Sequence, residues 1–149
     1  MSSATASAHA SAVLAGAHAV LVRGPAGAGK SRLALAIIAA AHTGLLRFAR
    51  LVADDRAYLE PRHGRLLVRP VPELAGLIEV RGAGIQRIAY EPVAVVGLVV
   101  DLAADDAERL PPDGAAVVIN GVRLPRLAVP AGVDPLPAVL ATLRGQDAT

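Results

Sequence analysis

Gly24-Pro25-Ala26-Gly27-Ala28-Gly29-Lys30-Ser31 is the stretch on which the fold turns. It follows a short apolar run at residues 19–22 (AVLV). It leads into residues 31–42 (SRLALAIIAAAH), which are rich in alanine and leucine and free of glycine and proline. Strand, glycine-rich loop and helix in that order match the phosphate-binding pattern G-x-x-x-x-G-K-[ST]. The glycines let the backbone curl round an anion with its N–H groups inward, and the helix N-terminus adds partial positive charge. Lys30 supplies a flexible point charge for the β- and γ-phosphates, and Ser31 an oxygen for Mg²⁺. The alternative is a glycine-rich strand–helix turn with no ligand. Against it, Lys30 is the only lysine among fifteen lysines and arginines, and it falls where the pattern needs one.

Outward from the loop, residues 13–22 read as a strand pair or as a strand with a preceding turn at Gly16, and Gly44 as a helix stop. Residues 51–53 form a short apolar strand ending in Asp54-Asp55. Residues 57–60 and 65–68 flank a turn at Arg62-His63-Gly64. Residues 70–76 are a turn with a short helical piece. Residues 77–80 are apolar around Glu79 and run into a glycine turn. Residues 93–100 read as a buried strand. Asn120-Gly121 closes a hairpin between residues 117–119 and 122–124. Residues 135–144 are expected to form a terminal helix, and residues 1–8 to fray. The expected organisation is one α/β domain over residues 1–149, with many short strands around the loop helix.

Composition narrows the function classes. The 149 residues are 54% hydrophobic and 19% charged, too apolar for a disordered chain. Mean hydropathy is +0.49, yet no apolar run approaches the ~20 residues that span a bilayer, so no membrane association is expected. The formal net charge is only +2, the arginines are scattered, and aromatics are 2%, which argues against nucleic-acid binding. The absence of cysteine removes thiolate metal sites, disulfides and cysteine nucleophiles. It fits a reducing compartment, and a cytoplasmic location is expected.

A phosphate-binding loop also needs a carboxylate at the end of an apolar strand. The Asp54-Asp55 pair and Asp101, after residues 95–100, both qualify. Adjacent carboxylates repel, so such a pair calls for a cation or hydrogen-bond donors nearby. Asp101 reads more simply as a strand-end residue capping the next turn, and the pair as an exposed turn when taken alone.

Four stretches carry a family resemblance: GPAGAGKS (24–31), LVADD (51–55), PELAGLIEVRGAGI (72–85) and ERLP with GVRLPRLAVP (108–111 and 121–130). Together with HASAV (9–13), they resemble HPr kinase/phosphorylase in a short form consisting of the C-terminal catalytic domain only. The resemblance implies an α/β P-loop kinase fold of the HPr kinase and phosphoenolpyruvate carboxykinase type, with a mixed, β-rich sheet. It implies ATP and Mg²⁺ as cofactors, an HPr-like phosphocarrier as partner, and homo-oligomeric, hexameric packing. The activity it implies is Mg-ATP-dependent serine phosphorylation regulating carbon metabolism through the phosphotransferase system.

Carried over by position, the family's catalytic histidine falls on His9, its loop lysine on Lys30, its proton-handling aspartate on Asp55 beside Asp54, and its later catalytic arginine on Arg109. The nucleotide-binding residues are Gly24, Pro25, Ala26, Gly27, Ala28, Gly29, Lys30 and Ser31. The metal ligands fall on Ser31 and Glu79. After Pro130 the family continues with a basic loop serving the reverse reaction, where this chain has Ala131-Gly132-Val133-Asp134. Asp134 would repel phosphate there, so the forward reaction is expected to exceed a weak phosphorylase activity. Two other readings use the same loop: a small-molecule kinase, and a nucleotide-binding regulatory protein without catalysis.

Overall fold

The computed structural model describes residues 6–108 and 114–147. The loop sequence does open onto a helix, but on a sheet of mixed direction. In chain order the elements are β1 (Ala10–Ala15), β2 (His18–Arg23), α1 (Lys30–His42), β3 (Ala49–Ala53), β4 (Ala57–Arg62), β5 (Arg65–Pro70), β6 (Leu77–Val80), β7 (Gly84–Arg87), β8 (Ala94–Leu102), β9 (Ala116–Ile119), β10 (Val122–Val129) and α2 (Leu136–Asp147). A 3₁₀ turn at Pro72–Leu74 stands where a short helical piece was expected. Helix α1 begins at Lys30, one residue ahead of the expected start.

The main sheet runs β3-β1-β2-β8-β10-β9. Parallel pairing is confined to β2 with β8 and β8 with β10, and the other ladders are antiparallel. The β4–β5 hairpin joins through β5, which pairs the start of β8. The β6–β7 hairpin forms a separate two-stranded sheet.

Alternation along the strands loads both faces. Ala10, Ala12, Ala19 and Leu21 pack on the side of the β4–β5 hairpin. Val13, Val20 and Val22 pack on the other side against Leu33, Ala34 and Ile37 of α1 and Val139 and Leu143 of α2. The spacing of Leu33, Ala34, Ile37 and Ala40 puts them on one stripe of α1, and all are buried. Strand β8 is apolar on both faces, which is why its sequence is a continuous hydrophobic run. Within it Val96 faces one core and Leu98 the other. The ladder to β2 slips at this point, so Gly97 is the extra residue of a bulge that reverses the strand's faces.

The chain's start is pinned further back than expected. Ala8 bridges Ala57 through hydrogen bonds of 2.7 Å and 3.0 Å, one in each direction. That bridge ties the residue before His9 to the chain just after Asp54-Asp55. No helix among the described residues is long and apolar enough to cross a membrane.

Candidate active site

The loop between β2 and α1 starts on Gly24, where a side chain would be crowded. An added Cβ there would lie 3.1 Å from Leu102 Cβ and 3.2 Å from the Leu102 carbonyl oxygen. Gly29 takes a left-handed φ of 102° at the helix N-cap, and no side chain caps the helix. The first N–H groups of α1 therefore face the loop without a side-chain acceptor, the arrangement that receives phosphate oxygens. Lys30 is only 6% exposed. Its Nζ donates to the Gly24 carbonyl at 3.0 Å and the Pro25 carbonyl at 3.3 Å, so the ammonium lies folded over the loop.

Asp54 and Asp55 follow β3, and their side chains have different surroundings. Asp54 is buried, and its Oδ1 accepts from Ser31 Oγ at 2.6 Å and Ser11 Oγ at 2.9 Å. Its Oδ2 accepts the backbone N–H of Glu79 at 3.3 Å. Asp55 is exposed, and its Oδ1 lies 2.7 Å from His9 Nε2. The backbone at Asp55 has φ 68°, a left-handed conformation that costs about 1 kcal/mol for a non-glycine residue. Repulsion between the neighbouring carboxylates is thus relieved by separation: one is held by donors in the interior, the other turned out to an imidazole.

These groups line one open cleft of about 960 Å³. Gly27, Gly29, Lys30 and Ser31 form its floor beside Asp54 and Asp55. The β6–β7 hairpin forms the opposite wall with Leu77, Glu79, Arg81 and Ile85. The Glu79 residue is exposed, with its carboxylate on the cleft wall rather than in the Asp54 cluster; only its backbone N–H reaches Asp54. His9 reaches the site through Asp55. Arg109 lies outside the described residues.

The hard oxygen donors Ser31, Asp54 and Glu79 suit Mg²⁺, which takes one or two carboxylates together with phosphate oxygens and water. No group of three or more acidic, histidine or cysteine side chains among the described residues could hold a metal by itself. With only these protein donors, Mg²⁺ would complete its shell from phosphate oxygens and water.

Asp101 does not cap a turn. Burial alone would raise its carboxyl, but hydrogen bonds from Arg23 (2.7 Å and 2.8 Å) and Arg126 (2.6 Å) outweigh this and hold it below the usual carboxylate range. Arg126 also donates to both oxygens of Asp106, at 2.9 Å and 3.0 Å. Asp134 is absent from the cleft lining, and its carboxylate accepts the Leu136 N–H at 3.1 Å at the start of α2.

Ser11 was not expected at the site. Its signal was present in the sequence: a lone hydroxyl, two residues after His9, in a strand whose other residues are apolar. Arg32 and Arg81 also line the cleft and escaped notice among the scattered arginines.

Fold and site together define a P-loop α/β protein whose loop serine is bonded to one member of an aspartate pair. The comparisons narrow that class. The chain is 33% identical over 123 residues to HPr kinase/phosphorylase of Limosilactobacillus reuteri, covering 74% of this chain and 36% of that protein. It is 34% identical over 123 residues to HPr kinase/phosphorylase of Geobacillus thermodenitrificans, covering 74% and 38%. Among solved structures, the Hpr(Ser) kinase/phosphatase from Coxiella burnetii matches 95% of both chains with a TM-score of 0.73 and 25% identity. No family model matches the chain. The chain belongs to the HPr kinase/phosphorylase family. It spans little more than a third of the length of the curated relatives.

Proposed function

We propose that the protein is a Mg-ATP-dependent kinase that phosphorylates a serine on an HPr-like phosphocarrier protein, and that it works in the cytoplasm. The observation that carries this reading is the split aspartate pair beside the loop. Asp54 is joined to the loop serine, while Asp55 stays exposed at the cleft mouth with His9 against it. A bound nucleotide would lay its phosphates along the backbone N–H groups of residues 26–31, with Lys30 at the β- and γ-phosphates. Mg²⁺, held by Ser31 and Glu79, would neutralise charge on the phosphate oxygens.

Asp55 accepts the proton of the attacking serine hydroxyl as its oxygen bonds to the γ-phosphorus and the bond to the β-phosphate oxygen breaks. His9 orients the Asp55 carboxylate from 2.7 Å. Lys30 and Arg109 stabilise charge on the transferring group, where most catalysis in phosphoryl transfer resides. An open cleft suits a serine presented on a protein surface, which needs room for its flanking chain.

Incubation with ATP, Mg²⁺ and the purified HPr-like protein of the same organism tests the proposal. Phosphoserine on the phosphocarrier, dependent on both, is the expected result. ATP turnover stimulated only by small molecules would overturn it in favour of a small-molecule kinase. ATP binding without turnover would indicate a regulatory nucleotide-binding protein.

A further inference from the structure

We propose that Ser11 is a positioning residue, the hydroxyl that holds Asp54 inward and Asp55 outward and so assigns the two carboxylates their separate tasks. The proposal deepens the kinase reading and rests on it for its kinetic consequence.

The Ser11 hydroxyl serves both aspartates at once. A serine hydroxyl has one proton and two lone pairs. It donates to Asp54 Oδ1, 2.9 Å away. The Asp55 N–H can only donate, and it points to the Ser11 oxygen at 3.0 Å. One atom therefore fixes the carboxylate of the first aspartate and the backbone of the second. Ser11 is 0% exposed, so water cannot replace either bond.

The backbone bond matters because Asp55 sits at φ 68°. A left-handed non-glycine residue persists only where its surroundings impose it, and the Ser11 contact is on the N–H of that residue. Without it the Asp54-Asp55 turn is freed to relax toward ordinary φ, which would move the Asp55 carboxylate off His9. Asp54 keeps Ser31 and the Glu79 N–H as partners when Ser11 is lost. The larger consequence therefore falls on Asp55, the residue assigned to the proton.

Two variants and two readouts test this. Ser11→Ala removes both bonds with almost no change in volume, and Ser11→Thr retains an oxygen able to make both. The expected result for Ser11→Ala is a fall in kcat of about 10- to 100-fold, the scale of a misplaced catalytic group. KM for ATP should stay within about twofold, because the loop and Lys30 are untouched. Ser11→Thr should recover most of kcat. Independently of catalysis, the Asp55 amide in ¹⁵N spectra of Ser11→Ala should shift and exchange with solvent faster than in the parent. An unchanged Asp55 amide overturns the proposal, as does equal loss of kcat in the alanine and threonine variants, which would mean packing alone. A parent protein that phosphorylates nothing overturns the kinase reading instead, and the amide measurement then still decides the role of Ser11.

Discussion

Lys30 shows how one residue carries both a structural and a chemical burden. Its ammonium is buried over the Gly24 and Pro25 carbonyls, where it helps hold the loop closed. Lys30→Ala should cost the fold little, since the two bonds lost are to carbonyls of the loop, where Pro25 is exposed and Gly24 half-buried. It should lower nucleotide-dependent turnover by roughly 10²- to 10³-fold, the cost of removing one preorganised charge stabiliser. Turnover within a few-fold of the parent, with the circular dichroism spectrum unchanged, would remove the loop from the reaction. His9 differs, because among the described residues its side chain bonds Asp55, with both side chains about half exposed. His9→Asn, which keeps a donor but cannot take up a proton, separates orientation of Asp55 from proton handling. If orientation is the whole of its role, kcat should fall less in His9→Asn than in His9→Ala.

Among the elements, β8 is the hinge of the architecture. It pairs β5 early, β2 along its length and β10 late, and the bulge at Gly97 lets it serve one core and then the other. Gly97 also lies against the first residue of β2: an added Cβ would stand 2.6 Å from His18 Cβ. That approach is too close for a rotamer change to relieve, since Cβ is fixed by the backbone. Gly97→Ala should destabilise the protein by about 1–3 kcal/mol through overpacking. The double variant with His18→Gly should recover more of the loss than strict additivity allows. Urea unfolding midpoints of the two single variants and the double variant measure this coupling, and purely additive losses would show that the β2–β8 contact is not responsible.

At the scale of the whole molecule, the ends of β2, β8 and β10 are joined beside the phosphate loop by one ionic chain, Arg23–Asp101–Arg126–Asp106. It fixes Asp101 next to Leu102, on which Gly24 rests. The Asp101 carboxyl has a lower pKa in the folded protein than the ~3.9 of an unfolded chain. The folded state is therefore favoured by this group above pH ~4, and the contribution is lost as pH falls through the lower folded value. Asp101→Asn leaves two guanidinium groups without their shared carboxylate and should cost about 2 kcal/mol at pH 7. The gap between variant and parent should narrow as pH falls below ~4. Unfolding free energies at pH 7 and pH 3 test the sign, and a gap that widens in acid would contradict it.

Local chemistry made the loop, α1, the turns at residues 62–64 and 120–121 and the start of β8 legible in the chain. Glycine–lysine–serine spacing, a glycine-free helix and turn dipeptides act over a few residues, so the linear order contains them. The family resemblance brought His9, the aspartate pair and Glu79 to attention from separate stretches. Sequence did not separate Asp54 from Asp55, because neighbours in a chain look alike until a strand end and a left-handed backbone turn them apart. Nor did it find Ser11, which acts only because β1 pairs β3 and lays its hydroxyl between the two aspartates. Asp101 was misread for the same reason, since its partners Arg23 and Arg126 come from β2 and β10. The sequence by itself determined the phosphate-binding loop and the kinds of residue around it, since these depend on short-range backbone preference. Which carboxylate faces the loop, which faces solvent and which is neutralised by arginine depends on contacts between distant strands, and only the tertiary structure decided it.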